Sequence, residues 1–471
     1  MTGNTIVMRE NSTFCAGEPF WANACVGNNG RPDYYDYAKG FSEAANLLIK
    51  AALHNNGCKY SVDIFIYPIC FNMRHSVELR LKGAVELLTK ISTSRVPLSP
   101  FDLVSSHDIG RIWEYVKSES DKIDKRLGFY IGILDEYILD LADVDATGQV
   151  FRYPYNKTKE KHLTEIGNIN VAFLYKRFHE LEAFLDSFDA FIQELKVEHS
   201  WGTYTKNLTR SEILEIARIL PSKDKWICPE FKSLKDQLKL KYSISSNELS
   251  IAIEKIKNLY RTRNSEFSAP ELKFLELIDI EKIIESWVIL HPHHNSKEPA
   301  ENQSIDFSDT EGIAHALALG RQERAELDRI CNELVNSLND DKLSDINAIY
   351  ETGRSLYPEC YPFLVTYYQG EVCAGSYDYP EGRVHLISRL LKRPDFLDSL
   401  LRCLYLIGHK DTAETIITKF GLIDSIDWIK DARKNEFFVA PCDRILASCL
   451  SMHEKNRIKN KSSKSYGEPE E

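Results

Sequence analysis

Residues 74–85 read RHSVELRLKGAV and lie at the centre of a longer stretch, residues 63–92, in which apolar side chains recur every three or four positions. On a helical wheel with about 100° per residue, five apolar side chains fall within about 40° of Val77, namely Cys70, Met73, Leu81, Ala84 and Leu88. This spacing is typical of a helix that buries one face. The stretch therefore predicts a long helix over residues 63–92 whose apolar stripe lies in a hydrophobic core.

A second stripe of the same helix is charged. Arg74, Glu78 and Lys82 follow one another at four-residue spacing, and His75 continues the band. In one interpretation the band is a solvated ladder of ion pairs, each worth about a few tenths of a kcal/mol. In the other it faces a cleft in which Arg74 and Lys82 hold a phosphate. There His75 would transfer a proton, and Glu78 would orient the other groups.

The rest of the sequence also predicts helices. Glycine (22) and proline (17) are sparse for 471 residues, and most segments repeat the same apolar spacing. Further helices are predicted over residues 35–54, 127–142, 168–199, 229–242, 246–261, 270–290, 310–338 and 343–355. Another is expected to open at Ser105, with Asp108 as its third residue. Thr209 and Glu212 have the spacing of a capping box. The predicted fold class is all-α, an N-terminal helical bundle followed by further helical units.

Length and charge limit the organisation and the partners. A chain of 471 residues is expected to form two or three compact units. We expect an N-terminal extension (1–30), a helical bundle (31–205), a second helical unit (206–295), a C-terminal helical unit (309–453) and a disordered tail (454–471). The formal net charge is −11, from 59 Lys and Arg against 70 Asp and Glu. This excludes a protein that coats nucleic acid non-specifically, so any RNA contact must be a local patch.

Cysteine usage and the absence of targeting patterns indicate a cytoplasmic chain. The 11 cysteines are scattered with no CxxC spacing, which fits neither a disulfide framework nor a thiolate zinc site. The first residues lack a signal-peptide pattern, and no segment approaches the roughly 20 apolar residues that cross a bilayer. We therefore expect reduced thiols and no membrane partner. No GxxxxGKS/T, GxGxxG or GxSxG motif is present, and neither a cofactor nor a metal is predicted.

Residues 74–85, followed after a proline-containing loop by SHDIGRIW at residues 106–113, resemble the HEPN superfamily. In those helical proteins a helix with a Glu-Leu-x-Leu-Lys signature precedes a helix that opens with His-Asp. The stretches YAKGFSEAA at 37–45, YPI at 67–69 and FRYP at 151–154 are similar to uncharacterised bacterial proteins of this HEPN-like group. The resemblance covers about residues 30–200.

The resemblance implies a four- or five-helix up-and-down bundle that is frequently dimeric and belongs to prokaryotic conflict systems, including anti-phage defence. Active members are metal-independent endoribonucleases with an Arg-x4–6-His motif. This sequence departs from the motif, because Arg95 is too far from His107 and Arg74 is adjacent to His75. The bundle could therefore also be a scaffold that binds or dimerises without catalysis.

The candidate site combines these residues. His107 or His75 would act as acid or base with Glu78 orienting them, while Arg74, Lys82 and Arg152 would contact phosphate. Two of these residues also have ordinary structural interpretations. His107 could satisfy a polar group near the helix cap, and Arg152 could be a surface arginine stacked on aromatic rings.

Two functions follow from the sequence. The first is a defence component whose bundle binds RNA and, as a further hypothesis, cleaves it. The second is a non-catalytic adaptor that forms a homo-oligomer or docks a partner protein of a defence system, with the C-terminal helices as the recognition surface. Whether the protein is an enzyme stays open at this point.

Overall fold

The protein is described here from a computed structural model. The structure describes residues 11–54, 59–92, 97–221, 223–260, 272–292, 310–371, 380–423, 426–433 and 440–464. Within these ranges the fold is all-α, which confirms the predicted class. The β-type pairing in the same ranges is an isolated antiparallel bridge between Tyr155 and Lys161.

The α-helices of the described residues are numbered α1 to α17 along the chain. They are α1 (Tyr34–Leu53), α2 (Val62–Ser92), α3 (Ile109–Ile123), α4 (Leu127–Asp145), α5 (Val171–Ser200), α6 (Arg210–Ile219), α7 (Pro229–Tyr242), α8 (Ser246–Tyr260), α9 (Leu277–Leu290), α10 (Thr310–Ser337), α11 (Asp340–Ser355), α12 (Tyr361–Glu371), α13 (Pro380–Leu391), α14 (Phe396–Leu406), α15 (Lys410–Lys419), α16 (Ile429–Arg433) and α17 (Pro441–Lys464). Most of the predicted helices agree with these bounds to within a few residues, because their apolar spacing and caps are local signals.

Contacts between residues divide the chain into two compact units. The first comprises Met1–Ile192 and His453–Glu471, and the second comprises Gln193–Met452. These boundaries fall inside α5 and inside α17, whereas the sequence placed boundaries near residue 205 and in 295–308. The second of those predicted boundaries lies outside the described residues.

Helix α2 is the central element of the first unit. Its predicted apolar stripe is buried, with Val77, Leu81 and Leu88 fully shielded from solvent. Helices α1 and α3 both pack on α2, and α4 packs on α3. Because neighbours cover more than one side of α2, several of its polar side chains, among them Arg74, Glu78 and Lys82, are buried along with the apolar ones.

Helix α5 is held against the rest of the first unit by polar and aromatic contacts. Arg80 of α2 lies 2.6 Å from Asp186 and 3.1 Å from Asp189. Tyr130 of α4 packs against Phe188, with ring centroids 5.5 Å apart. The first unit is thus a bundle to which α1 to α5 all contribute.

Helix α3 begins later than the sequence predicted. Asp108 is its N-cap and accepts a hydrogen bond from the Arg111 backbone N–H at 3.0 Å. Ser105, the predicted cap, instead donates its backbone N–H to Asp102 at 3.1 Å. The prediction was wrong because two capping residues lie three positions apart, and only the tertiary structure decides which one the helix uses. The shift leaves His107 just outside the helix.

Two apolar cores lie among the described residues of the second unit. One forms from α6, α7 and α8 and includes Ile213 and Phe231. The other extends from Leu275, before α9, to Ala432 of α16. Helix α9 had been assigned by sequence to the same unit as α6 to α8, but its Trp287 belongs to the second core. An amphipathic helix does not specify which partner covers its apolar face.

The two ends of the chain differ from each other. Residues 11–30, part of the predicted extension, form two short 3₁₀ turns and are exposed. Residues 454–464, predicted as disordered, instead continue α17 to Lys464. The correction has a local cause, since this stretch holds neither glycine nor proline and is rich in good helix formers. Residues 1–10 and 465–471 lie outside the described residues.

The cysteines of the described residues are free thiols. Most of them are buried, namely Cys70, Cys331, Cys360, Cys403, Cys442 and Cys449. Cys58 and Cys373 lie outside the described residues. In the described part of the chain, every helix falls short of the combination of length and hydropathy that a membrane span requires.

Candidate functional site

The first unit contains an open cleft of about 880 Å³ between α2, the start of α3 and residues 147–162. Five of the six predicted site residues line it, namely Arg74, His75, Glu78, His107 and Arg152. Lys82 does not. The structure therefore brings together groups that are distant in sequence, and it separates one group that the helical spacing had joined to them.

The Glu78 carboxylate is the central group of the cleft wall. Its Oε1 atom lies 2.9 Å from Nδ1 of His107 and 3.1 Å from Nζ of Lys82. Its Oε2 atom accepts a hydrogen bond from Nη1 of Arg74 and lies 3.7 Å from Nδ1 of His75. The Glu78 side chain is only 4% exposed. One buried carboxylate thus contacts three charged or titratable groups that line the cleft, Arg74, His75 and His107, together with Lys82, which does not line it.

These contacts set the charge state of Glu78. Burial by itself raises the pKa of the carboxyl, since it disfavours the charged form. The interactions with His75 and His107, together with the charge of Arg74, outweigh burial and hold the pKa well below its usual range. Glu78 is therefore an anion and a permanent hydrogen-bond acceptor, and it is excluded as a general acid at neutral pH.

His107 combines an anchored nitrogen with an exposed ring. The side chain is 63% exposed, although its Nδ1 atom is bonded to buried Glu78. A carboxylate can only accept, so in the neutral imidazole the proton lies on Nδ1 and the Nε2 lone pair is left to accept another proton. The sequence offered a structural role, in which Asp108 caps the helix and His107 satisfies a nearby polar group, and a catalytic role. Asp108 is the cap and His107 bonds Glu78, as in the first, and the exposed ring also faces the cleft, as the second requires.

Arg74 acts as a clamp for the backbone around the cleft. Its Nε atom donates to the carbonyl oxygen of Asp145 at 3.1 Å. Its Nη2 atom donates to the carbonyl oxygens of His107 and Ala146. With Nη1 bound to Glu78, the guanidinium is 2% exposed and most of its N–H groups are used. It therefore fixes the start of α3 and the end of α4, and it is poorly placed for the predicted contact with phosphate.

Gly148 makes room for this clamp. Its φ angle is +75°, a conformation that residues with a Cβ atom rarely adopt. A Cβ atom at this position would lie 3.1 Å from Nη1 of Arg74. The chain therefore passes directly over the guanidinium, which requires glycine here.

Lys82 corrects the sequence prediction. Its side chain is 7% exposed, pairs with Glu78 and does not line the cleft. The ladder of Arg74, Glu78 and Lys82 exists, but it is buried rather than solvated. The helical wheel correctly predicted that these three residues are neighbours. It could not predict their burial, because the spacing of a charged stripe is the same whether water or another helix covers it.

Arg152 meets both of its predicted descriptions. Its guanidinium carbon lies 4.9 Å from the centroid of the Phe71 ring, so the side chain is stacked on an aromatic residue. It is also exposed and lines the cleft. Across the described residues, no carboxylate lies within ion-pairing distance of it. His75 is near the same aromatic group, with its ring centroid 5.7 Å from that of Phe71 and 4.5 Å from that of Phe41.

The sequence missed several residues on the opposite wall. Lys157 is exposed and, like Arg152, has no carboxylate partner in the described chain. Tyr153 and Tyr155 are exposed beside it, and the Nε2 atom of His162 is buried without a hydrogen-bond partner. The sequence shows only a run rich in basic residues after FRYP, YNKTKEKH at residues 155–162. Whether such a run lies in a cleft or on open surface depends on the fold.

The loop that carries Lys157 is ordered by one side chain. The Oδ1 atom of Asn156 accepts the backbone N–H groups of Thr158 and Glu160, both at 2.9 Å. Its Nδ2 atom donates to the Glu160 carboxylate at 2.8 Å. Lys159 adopts a positive φ within this turn. The turn therefore holds the lysines in place by internal hydrogen bonds.

The fold and the cleft define an all-helical protein with a basic, histidine-lined site in its first unit. Within the described residues, no three His, Cys, Asp or Glu side chains are grouped so as to hold a metal ion. Comparisons of the chain with family models, with curated proteins and with solved structures find no match. The resemblance to HEPN proteins therefore remains an expectation from the motifs.

Proposed function

We propose that the first unit binds single-stranded RNA in the cleft and cleaves it, as a component of a prokaryotic defence system. The observation that carries this proposal is the exposed His107, held by buried Glu78 in a cleft that also presents the unpaired cation of Arg152. The setting in defence is taken from the resemblance to HEPN proteins.

The binding argument rests on charge and aromatic surface. Arg152 and Lys157 offer cations that no carboxylate of the described ranges neutralises, so they can pair with backbone phosphates. Tyr153 and Tyr155 offer exposed rings on which unpaired bases can stack. A net charge of −11 restricts such binding to this patch. An extended single strand fits better than a duplex, since stacking on rings requires bases that are not already stacked.

The chemistry follows from the two histidines. Nε2 of His107 takes the proton of a ribose 2′-hydroxyl while O2′ attacks the adjacent phosphorus. The P–O5′ bond breaks, and the leaving O5′ receives a proton from His75. The products are a 2′,3′-cyclic phosphate and a 5′-hydroxyl, and both histidines return to their starting states by proton exchange with water. Arg152 stabilises the charge that develops on phosphate oxygens.

Glu78 would be a positioning residue in this reaction. It holds the proton of His107 on Nδ1 and stabilises the imidazolium that forms after proton transfer. Of the three predicted phosphate contacts, Arg74 and Lys82 are engaged inside the bundle, and Arg152 is kept in this proposal. Lys157 is added to it.

Binding is tested with a fluorescein-labelled single-stranded RNA of mixed sequence in EDTA, followed by fluorescence anisotropy. We expect Arg152→Ala and Lys157→Ala each to weaken binding by about fivefold or more, with a reduced dependence on salt. Lys50→Ala, which removes an exposed lysine of α1 outside the cleft, is the matched control. Equal affinities of all four proteins would refute the assignment of the cleft.

Cleavage is tested with the same RNA and with DNA of the same sequence. The wild type should cleave the RNA and leave the DNA intact, since DNA lacks the nucleophile. His107→Ala should lose activity, and the control His179→Ala, an exposed histidine of α5, should retain it. Circular dichroism checks that both variants fold. Activity that survives in His107→Ala would exclude His107 as the base.

One observation favours the adaptor as a second candidate. Arg74 and Lys82 serve the interior of the bundle rather than a ligand, so the charged band of α2 is explained by the fold alone. RNA binding without cleavage, or neither activity, would favour this non-catalytic role. Size measurements with and without RNA would then test for a homo-oligomer.

A further inference from the structure

A second, apolar pocket of about 340 Å³ lies in the first unit, behind the cleft. Helices α2, α4 and α5 supply most of its wall, through residues that include Met73, Val144, Leu174 and Phe178. Its volume is at the lower end of the range found for small-molecule sites. The proposed reaction does not use this pocket.

The polar groups at its rim are already paired with one another. The guanidinium carbon of Arg177 lies 3.9 Å from the centroid of the Tyr137 ring. The same guanidinium is 2.9 Å from the Glu136 carboxylate and 3.3 Å from that of Asp140. The Tyr137 hydroxyl donates to Glu180 at 2.9 Å. The cation of Arg177 is thus already used by carboxylates, and most of the other side chains that line the pocket are apolar, so its chemistry favours an uncharged ligand.

The floor of the pocket is also uncharged. Cys70 is buried there, and burial, together with the nearby charge of Asp145, raises the pKa of its thiol to about 12. The thiol is therefore neutral at physiological pH and behaves as a small apolar group. A molecule in the pocket would meet carbon and sulfur on most sides.

The pocket and the cleft share two pieces of chain. On α2, Met73 lines the pocket and Arg74, the next residue, lines the cleft. After α4, Phe151 lines the pocket and is 8% exposed, whereas Arg152 lines the cleft and is exposed. Because successive residues point into the two cavities, a displacement of Phe151 must move Arg152.

The chain between α4 and Arg152 is tethered by hydrogen bonds. Backbone N–H groups of Gln149 and Val150 donate to Oδ1 of Asp145 at 2.8 and 3.1 Å. The N–H of Arg152 donates to the carbonyl oxygen of Gln149 at 3.2 Å. A short tethered segment transmits a displacement over one or two residues, where a flexible loop would absorb it.

We propose that the apolar pocket binds a small, uncharged, apolar molecule, and that this molecule sets the position of Arg152 in the cleft through Phe151. The pocket would thus be an effector site. That this molecule regulates RNA binding rests on the proposed function of the cleft. Its binding to the pocket and the resulting movement of Phe151 and Arg152 do not depend on that function.

Binding is tested on the full chain with N-phenylnaphthylamine, an uncharged dye that fluoresces in apolar surroundings. We expect saturable binding of one dye per chain. Val144→Trp and Leu174→Trp each fill the pocket from a different helix and should weaken binding by about tenfold or more. Leu139→Trp, at an exposed position of α4, is the matched control and should bind as the wild type does. Binding that is not saturable, or that is unchanged in both filled variants, would overturn the proposal.

Coupling is tested by hydrogen exchange of peptides that cover residues 148–155. Saturating dye should change exchange there in the wild type, and in Phe151→Ala it should bind without that change. An unchanged exchange pattern in the wild type would refute the coupling. The dye should also shift the affinity for RNA. If the protein binds no RNA, the proposed function fails. The dye and exchange measurements would still show whether the pocket binds an apolar molecule and whether that molecule moves residues 148–155.

Discussion

The Nδ1 atom of His107 lies 2.9 Å from Oε1 of Glu78, and these two residues are 29 positions apart in the chain. The contact joins an exposed side chain to a buried one. The same carboxylate also neutralises Arg74, which clamps the backbone on both sides of the cleft. The stability of the first unit and the geometry of the cleft therefore both depend on the Glu78 carboxylate.

Replacement of Glu78 should destabilise the first unit strongly. Glu78→Gln leaves the buried guanidinium of Arg74 without its counter-charge, and removal of one partner of a buried pair costs about 3–5 kcal/mol. Urea unfolding followed by circular dichroism measures the change. The matched control is Glu86→Gln, since Glu86 pairs with Lys90 at the same four-residue spacing but on the exposed surface of α2. We expect less than about 1 kcal/mol there, and equal losses in both variants would contradict the structure.

The contribution of Glu78 should depend on pH in one direction. Its folded-state pKa is depressed, so the unfolded chain takes up the proton first as pH falls, and stability falls with it. The stabilisation is complete above the ordinary glutamate pKa of about 4.3 and is lost progressively below it. The difference in unfolding free energy between the wild type and Glu78→Gln should therefore shrink as the pH falls below about 4. A difference that widens between about pH 4 and pH 3 would contradict the sign.

Gly148→Ala should disturb both stability and the cleft. The added Cβ atom meets Nη1 of Arg74 at 3.1 Å, and the φ angle of +75° is unfavourable for alanine. A loss of about 1–2 kcal/mol follows from the backbone conformation alone. The control is Gly132→Ala on α4, where a Cβ atom would meet nothing within 4 Å. RNA affinity, measured beside stability, should fall only in Gly148→Ala.

Gly353→Ala should destabilise the second unit. Helices α11 and α14 approach so closely at Gly353 that a Cβ atom would lie 1.7 Å from the carbonyl oxygen of Ser399. Backbone cannot rotate away as a side chain can, so the cost should reach the upper end of the roughly 1–3 kcal/mol seen for overpacked cores. Gly320→Ala, at an exposed position of α10 with open space around it, should be neutral or stabilising by up to about 1 kcal/mol. Thermal unfolding of the two variants side by side gives the comparison.

Lys82→Met tests the corrected position of the lysine. The substitution keeps the length of the side chain and removes a charge that lies outside the cleft. RNA affinity should therefore stay within about twofold of the wild type, whereas a lysine that contacts phosphate would weaken it and lower the salt dependence. Anisotropy titrations at two salt concentrations distinguish the two outcomes.

Much of the fold was predictable because its signals are local. The bounds of α2 follow from its apolar spacing, and the N-terminus of α6 follows from the capping box of Thr209 and Glu212. Ser105 and Asp108 are both residues that can cap a helix. The prediction placed the cap at Ser105, whereas Asp108 is the N-cap of α3. The sequence also could not predict which core α9 joins, because an apolar face does not specify the surface that packs against it.

The candidate site was predictable only as a set of residues. Arg74, His75 and Glu78 share one stretch of helix, and His107 was singled out by its His-Asp motif. Lys157 was missed because a loop lysine carries no pattern that distinguishes a cleft from open surface.

By itself, the sequence determined the all-α class, the core stripe of α2 and the four-residue ladder from Arg74 to Lys82. These depend on spacing along one helix, which the order of residues specifies. Only the tertiary structure decided that the ladder is buried, that Arg74 holds the start of α3 against the end of α4, and that His107 contacts Glu78. Burial and long-range contacts depend on what packs against a residue, and the free energy of an ion pair changes with the water that its neighbours exclude.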